Sequence, residues 1–170
     1  EEETDPVLSI KTLPKSHTLD VVKLAACPRG HVVSVSLDRS TSIHVFNSRS
    51  KMYSHTTLMT ASMSPSLWPI IAAAIDYAGH WLALCTDTGR VAFWNFAERR
   101  FTHSVAICLG GHLPVNFSFA ALQSDATEGL HIIVTTPNGW MTDVELYSSR
   151  VAKHRVCDDR IVSSSVSCSV

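Results

Sequence analysis

Nine histidines are spread through 170 residues: His17, His31, His44, His55, His80, His103, His112, His131 and His154. A metal site needs imidazoles or thiolates converging, and its local signatures are HxxxH, HExxH and CxxC spacings. None of these occurs, and the five cysteines (Cys27, Cys85, Cys108, Cys157, Cys168) form no CxxC pair. The histidines therefore read as hydrogen-bonding groups in loops and at strand ends, and no metal or cofactor is expected. Ser36, His17 and Asp38 are the residue types of a nucleophile, a base and an orienting carboxylate. No serine sits in a GxSxG elbow, so these three are expected to hold loops rather than break a bond. Gly110-Gly111 lacks the frame of a phosphate loop, since GxxxxGK[ST] and GxGxxG are both absent. Asn116-Phe117-Ser118 matches a glycosylation sequon but falls inside a predicted strand.

Binding chemistry is better represented than catalysis. Arg39 and Arg90 each follow an aspartate in a polar turn, Asp38-Arg39 and Asp87-Thr88-Gly89-Arg90. Asn138 takes the matching place in Thr136-Pro137-Asn138-Gly139. A guanidinium fork receives a carboxylate bidentately, so arginines in neighbouring turns on one face are candidates for gripping an acidic protein partner. The alternative is a solvated turn in which each arginine pairs with its own aspartate. Trp68, in the connection MTASMSPSLWP over 59–69, is either an interface anchor or a plug folded onto its own unit. Trp81, Trp94 and Trp140 lie in strand-like runs, where core packing is the default.

The totals narrow the partners. The hydrophobic share is 45% and the charged share 17%, enough apolar content for a sizeable core. With 14 basic and 15 acidic residues the net charge is −1. That gives no ground for nucleic acid or for direct contact with an anionic membrane, both of which demand a concentrated positive field. The apolar runs, such as 69–75, are too short to span a bilayer. The acidic start, Glu1-Glu2-Glu3, is unlike a signal peptide. Opening at Glu rather than Met, the chain reads as a piece of something longer, whose other parts are free to hold membrane segments. An odd number of cysteines without paired spacing reads as reduced thiols in a cytosolic compartment, with Cys27 and Cys85 as small core residues.

The elements that must position these residues are strands. The stretch 32–47 (VVSVSLDRSTSIHVFN) returns in degraded form as 81–95 (WLALCTDTGRVAFWN) and more faintly as 131–146 (HIIVTTPNGWMTDVEL). A recurrence of about 50 residues marks an array of small β-units. Each copy is an apolar strand, a polar turn and a second apolar strand, and two of them end in aromatic-Asn (Phe46-Asn47, Trp94-Asn95). Alternation suggests strands half buried, and continuous apolar runs suggest strands buried on both faces. Each unit reads as four strands: 21–26, 31–36, 43–46 and 53–58; then 70–76, 81–85, 90–96 and 101–106; then 115–122, 130–135, 140–146 and 151–155. The segment 7–13 reads as the outer strand of a preceding unit. Residues 123–128 read as a polar insertion, and 161–170 as a further inner strand or a frayed end. The long connections 59–69 and 108–114 are of the kind that contacts partners.

These residues resemble the WD40 repeat. The stretch 12–22 (TLPKSHTLDVV) is similar to the Gly-His opening of a repeat, with Ser16 in the glycine's place and His17 in the histidine's. Ser34, Ser36 and Asp38 fall at the strand end and turn, and Phe46-Asn47 and Trp94-Asn95 stand for Trp-Asp. The resemblance implies an all-β fold: a WD40-type β-propeller segment of about three to four four-stranded blades, near 17–58, 70–106 and 115–155. It also implies a hydrogen-bonded set of His17, Ser36 and Asp38, truncated at Phe46, which has no indole N–H. The stretches 17–39, 64–75 and 87–95 are further similar to the C-terminal WD40 domain of the fungal sterol regulatory element-binding protein cleavage-activating family. That likeness implies a non-enzymatic escort on the cytosolic face of the endoplasmic reticulum, whose propeller binds the C-terminal region of a membrane-bound transcription-factor precursor. The rivals are a WD40 scaffold of another pathway, such as trafficking or ubiquitin ligation, and a hydrolase on a β-rich fold. Three or four blades cannot close a ring of about seven, so parts of the ring are expected outside this sequence.

Overall fold

In Trp81–Thr86 (WLALCT) every residue after the tryptophan is buried. Successive side chains of a strand leave on opposite faces. Leu82 and Leu84 accordingly enter one apolar cluster, whereas Ala83 and Cys85 enter another. A strand of this kind must be covered by protein on both sides. The computed structural model, which describes Leu13 and residues 16–59, 68–124, 127–148 and 150–155, shows what covers it.

The described residues form twelve strands and no helix. The first sheet joins β1 (Val21–Ala26), β2 (Val32–Ser36), β3 (Ser40–Asn47) and β4 (Met52–Met59). The second joins β5 (Ile70–Ile75), β6 (Trp81–Thr86), β7 (Arg90–Asn95) and β8 (Arg100–Ala106). The third joins β9 (Asn116–Ser124), β10 (Thr127–Thr135), β11 (Trp140–Glu145) and β12 (Val151–Arg155). Within each sheet the strands pair in sequence order and antiparallel. The inner strands β1, β5 and β9 stand next to one another, so the sheets fan from a shared axis as blades.

The blades stack through their faces. Val33, Val35 and Ile43 of blade one meet Leu82, Leu84 and Trp94 of blade two. The opposite face of blade two, with Val91, Phe93 and Ile107, meets Ile132, Val134 and Val144 of blade three. Removing each such side chain from water contributes roughly 1.5–3 kcal/mol. Cys27 and Cys85 are buried in these two clusters as small apolar residues.

Turn chemistry explains the aromatic-Asn ending. Asn47 Oδ1 accepts from the N–H groups of Arg49 (2.9 Å) and Ser50 (3.2 Å). Asn95 Oδ1 accepts from those of Ala97 and Glu98, both at 2.9 Å. An asparagine at this place caps a β3–β4-type hairpin by bonding the backbone two residues on. The polar insertion expected over 123–128 falls at the β9–β10 hairpin, and residues 125 and 126 lie outside the described residues. β9 and β10 run into it, with Ser124 paired to Thr127, because polar residues satisfy a hairpin ladder as well as apolar ones. Register shifts bend β1 between Val21 and Lys23, and β5 between Ile70 and Ala72; no sequence signal marked them. The expected strand over 7–13, apart from Leu13, and the tail 161–170 lie outside the described residues.

Candidate binding face

Two observations fix which turns share an end of the molecule. Arg29 Nη1 donates to the Ala78 carbonyl (3.0 Å) and His31 stacks on Phe96 (5.3 Å), so the β1–β2, β5–β6 and β7–β8 turns meet. The β2–β3 and β6–β7 turns therefore lie together at the other end. There, a Cβ on Gly110 would stand 3.6 Å from Asn138 Nδ2, which brings in the β10–β11 turn. Arg39, Arg90 and Asn138 are thus carried on one face by three successive blades.

Their surroundings differ. Arg39 is exposed and has φ +67°. The neighbouring Asp38 is filled from elsewhere: Oδ2 accepts from Thr18 N–H (2.7 Å) and hydroxyl (3.1 Å), and Oδ1 from Ser40 N–H (2.9 Å) and hydroxyl (2.5 Å). A carboxylate offers about four acceptor sites, and Thr18 and Ser40 fill those of Asp38, with His17 Nδ1 3.8 Å from Oδ1. Arg90 is exposed and its Nε donates to Ser104 Oγ (3.0 Å). Asn138 is half-buried; its Oδ1 accepts from Thr136 Oγ1 (2.5 Å) and its carbonyl takes Arg155 Nη1 (2.8 Å). Arg155 and Lys153 lie over the Trp140 ring, 5.3 and 4.5 Å from its centroid. Blade three thus supplies a cation to this face from its outer strand rather than from the turn. The register sets Arg155 directly opposite Trp140, a pairing that the sequence did not announce. Trp68 is half-buried and packs against the cluster between blades one and two. Residues 60–67 of its loop lie outside the described residues.

Beneath the Arg39 turn sits the hydrogen-bonded set. His17 Nδ1 lies 2.7 Å from Ser40 Oγ, and Nε2 lies 2.7 Å from Ser34 Oγ. Ser40 gives its one proton to Asp38, so its oxygen must accept from Nδ1–H. In the neutral imidazole Nε2 is then the bare nitrogen and accepts from Ser34. The order runs Ser34 to His17 to Ser40 to Asp38. Ser36 does not bond His17 directly: its hydroxyl donates to the Leu19 carbonyl (3.0 Å) and accepts from Asp38 N–H (3.2 Å). Phe46 lies at the far end of its strand, tilted against Tyr53. The set ties residues 17–19 to the β2–β3 turn and so fixes where Arg39 points.

Two buried imidazoles lie away from this face. His44 is 2% exposed, stacks on His55 (4.7 Å), and leaves Nδ1 buried without a partner. Burial, then the nearby His55 and His17, lowers its affinity for a proton. His31 is lowered by burial and by Arg29, against the pull of Asp76. Among the described residues, no group of three or more His, Cys, Asp or Glu is arranged to hold a metal, and no helix is long and apolar enough to cross a membrane.

Three antiparallel four-stranded blades about one axis define a segment of a WD40-type β-propeller. The sequence matches no protein-family model and no curated protein. Among solved structures it resembles a chain of the fission yeast SREBP–SCAP binding-domain complex, with TM-score 0.66 and 19% identity. That match covers 95% of this chain and 45% of the other. The WD40 domain of SCAP from fission yeast follows at TM-score 0.63 and 17% identity, covering 83% of this chain and 34% of that one. The WD40 repeats of RRP9 give 0.58 and 12%, with 81% and 39% covered. At these identities the likeness is one of fold, and the present chain spans less than half the length of each.

Proposed function

We propose that this chain is the protein-binding propeller segment of a sterol-regulated escort, without catalytic activity of its own. It works at the cytosolic face of the endoplasmic reticulum and takes the C-terminal region of a membrane-bound transcription-factor precursor. What carries the reading is the likeness of fold to the fission yeast SREBP–SCAP binding domains across 95% of this chain. The Arg39, Arg90 and Asn138 turns form the face that receives the precursor's carboxylates, and Trp68 flanks it.

The test is pull-down of the precursor's C-terminal region by the full-length parent protein carrying Arg39→Glu and Arg90→Glu. Capture is expected to weaken by about tenfold or more. The melting temperature should stay near that of the parent, since an exposed local pair is worth only about 0–1 kcal/mol. Undiminished capture, or a large drop in melting temperature, would remove these arginines from the binding role. The likeness to the RRP9 repeats favours a second reading, a WD40 scaffold of another pathway. A parent chain without transmembrane segments would decide for it.

A further inference from the structure

The three blades match position by position at their β2–β3-type turns. Arg39, Gly89 and Gly139 each donate the backbone N–H to the carbonyl three residues back, on Ser36, Thr86 and Thr136. Two and four residues before that carbonyl stand Ser34 and Val32 in blade one, Leu84 and Leu82 in blade two, Val134 and Ile132 in blade three. Pairing across each sheet then sets His44 level with Trp94 and Val144, and His55 level with Phe101. In blades two and three this face is apolar and is covered by the blade before it. In blade one it is half polar and borders the groove of about 340 Å³, where Leu24 is 67% exposed.

The polar positions are histidines. His44 and His55 stack at 4.7 Å where blade two sets Trp94 edge-on to Phe101 at 5.1 Å. His44 is 2% exposed, with Nδ1 buried and unpartnered. A proton added to the stack puts charge into a site without an acceptor, facing a second imidazole. The surrounding elements do not neutralise it. β1 and β2 present Leu24, Val32 and Ser34 to this face, none of them titratable. β4 presents His55 and Thr57, whose hydroxyl is 3.0 Å from His55 Nε2. The segment 16–19 presents His17, whose two nitrogens are engaged by Ser34 and Ser40. Behind His17 lies Asp38, already filled by Thr18 and Ser40.

We infer that this face of blade one is a proton-gated joint: it takes the apolar face of a further four-stranded blade while the His44–His55 stack is neutral, and releases it when the stack is protonated. The occupant is a blade because the matching positions on blades two and three are closed by one. Burial, then His55 and His17, lowers the affinity of His44 for a proton. An imidazole lowered in this way contributes stability that is complete above its ordinary value, about 6.5, and lost as pH falls below it. Covering the groove takes His44 further from water and deepens the dependence. The inference takes from the proposed function only that the chain is a segment of a propeller.

The test is backbone hydrogen exchange in the full-length parent protein at pH 7.5 and 5.5, read as protection relative to the free peptide. Over 19–26 and 42–46 protection should fall by about tenfold or more at pH 5.5, while 82–86 and 91–95 of blade two hold within about twofold. His44→Phe with His55→Phe, which gives blade one an aromatic pair of the blade-two kind, should remove the pH dependence. His44→Gln with His55→Gln, polar but without a titrating proton, should remove it too. Equal protection at both pH values in the parent overturns the inference, as does a pH dependence that survives in both double variants. An equal loss in blade two would mean general unfolding and overturns it as well. So does equal protection of 19–26 and 42–46 in the 170-residue chain alone at pH 7.5, which would mean that no further blade covers them. Precursor capture at pH 7.5 is read through Arg39 and Arg90, so the joint and the binding face fail independently.

Discussion

Asp38 does more for the fold than its exposed turn implies. Partial burial pushes its carboxyl up, but hydrogen bonds from the Ser40 hydroxyl and from Thr18 and Ser40 N–H groups outweigh that and hold it well below the usual carboxylate range. A carboxyl depressed in the folded state contributes stability that is complete above its unfolded value, about 4, and lost as pH falls below it. Asp38→Asn should therefore cost roughly 1.5–3 kcal/mol at neutral pH, the worth of hydrogen bonds to a charged group. It should also flatten the decline in stability below about pH 4. Urea unfolding at neutral and acid pH checks both, and a variant that declines as steeply as the parent would refute the assignment. At this scale the sequence revealed residue types and not wiring. Ser34 and Ser36 share one parity of β2, so alternation puts both on the same face. It cannot tell which stands at the height of His17, and it gives no hint of Ser40, reached across the turn.

At the scale of elements, two glycines with the same backbone sign carry different loads. Gly89 has φ +81°, its carbonyl accepts from Ile107 N–H (2.8 Å), and an added Cβ would collide with the Ile107 carbonyl oxygen. Gly111 has φ +76°, yet an added Cβ would meet nothing within 4 Å. Gly89→Ala is expected to cost about 3 kcal/mol or more, from strain and collision together, and Gly111→Ala about 1 kcal/mol, from strain alone. Denaturant midpoints compare them directly; equal losses would show that the β6–β7 turn is not clamped by the end of β8. Thr-Asp-Thr-Gly announced that turn in the sequence. The approach of β8 to it did not, because nothing local to residues 86–90 encodes what lies at residue 107.

For the whole molecule, the decisive contacts run between blades. Phe93 is fully buried in the cluster joining blades two and three, with His103 stacked on its ring at 4.8 Å. Phe93→Ala should cost about 3–5 kcal/mol. Phe101→Ala, at a partly buried position beside the other cluster, should cost distinctly less. If calorimetry finds the two equal, the blades do not depend on their faces for stability. Blade one turns its remaining face outward, where Leu19, Val21, Leu24 and Val32 line a groove of about 340 Å³ beside His17 and His44. The apolar side chains there are of the kind that elsewhere in this chain cover a neighbouring blade.

Period-two alternation, the Asp-, Asn- and Gly-bearing turns and the aromatic-Asn endings were sufficient, by themselves, to specify strands in groups of four. Each of those signals is local: a pleat sends neighbours to opposite faces, and a turn needs particular backbone angles within a few residues. Two things waited on the tertiary structure: which blade covers which face, and which serine the imidazole of His17 grasps. Both depend on residues distant in the chain approaching within a few ångströms, and only the tertiary fold sets that approach.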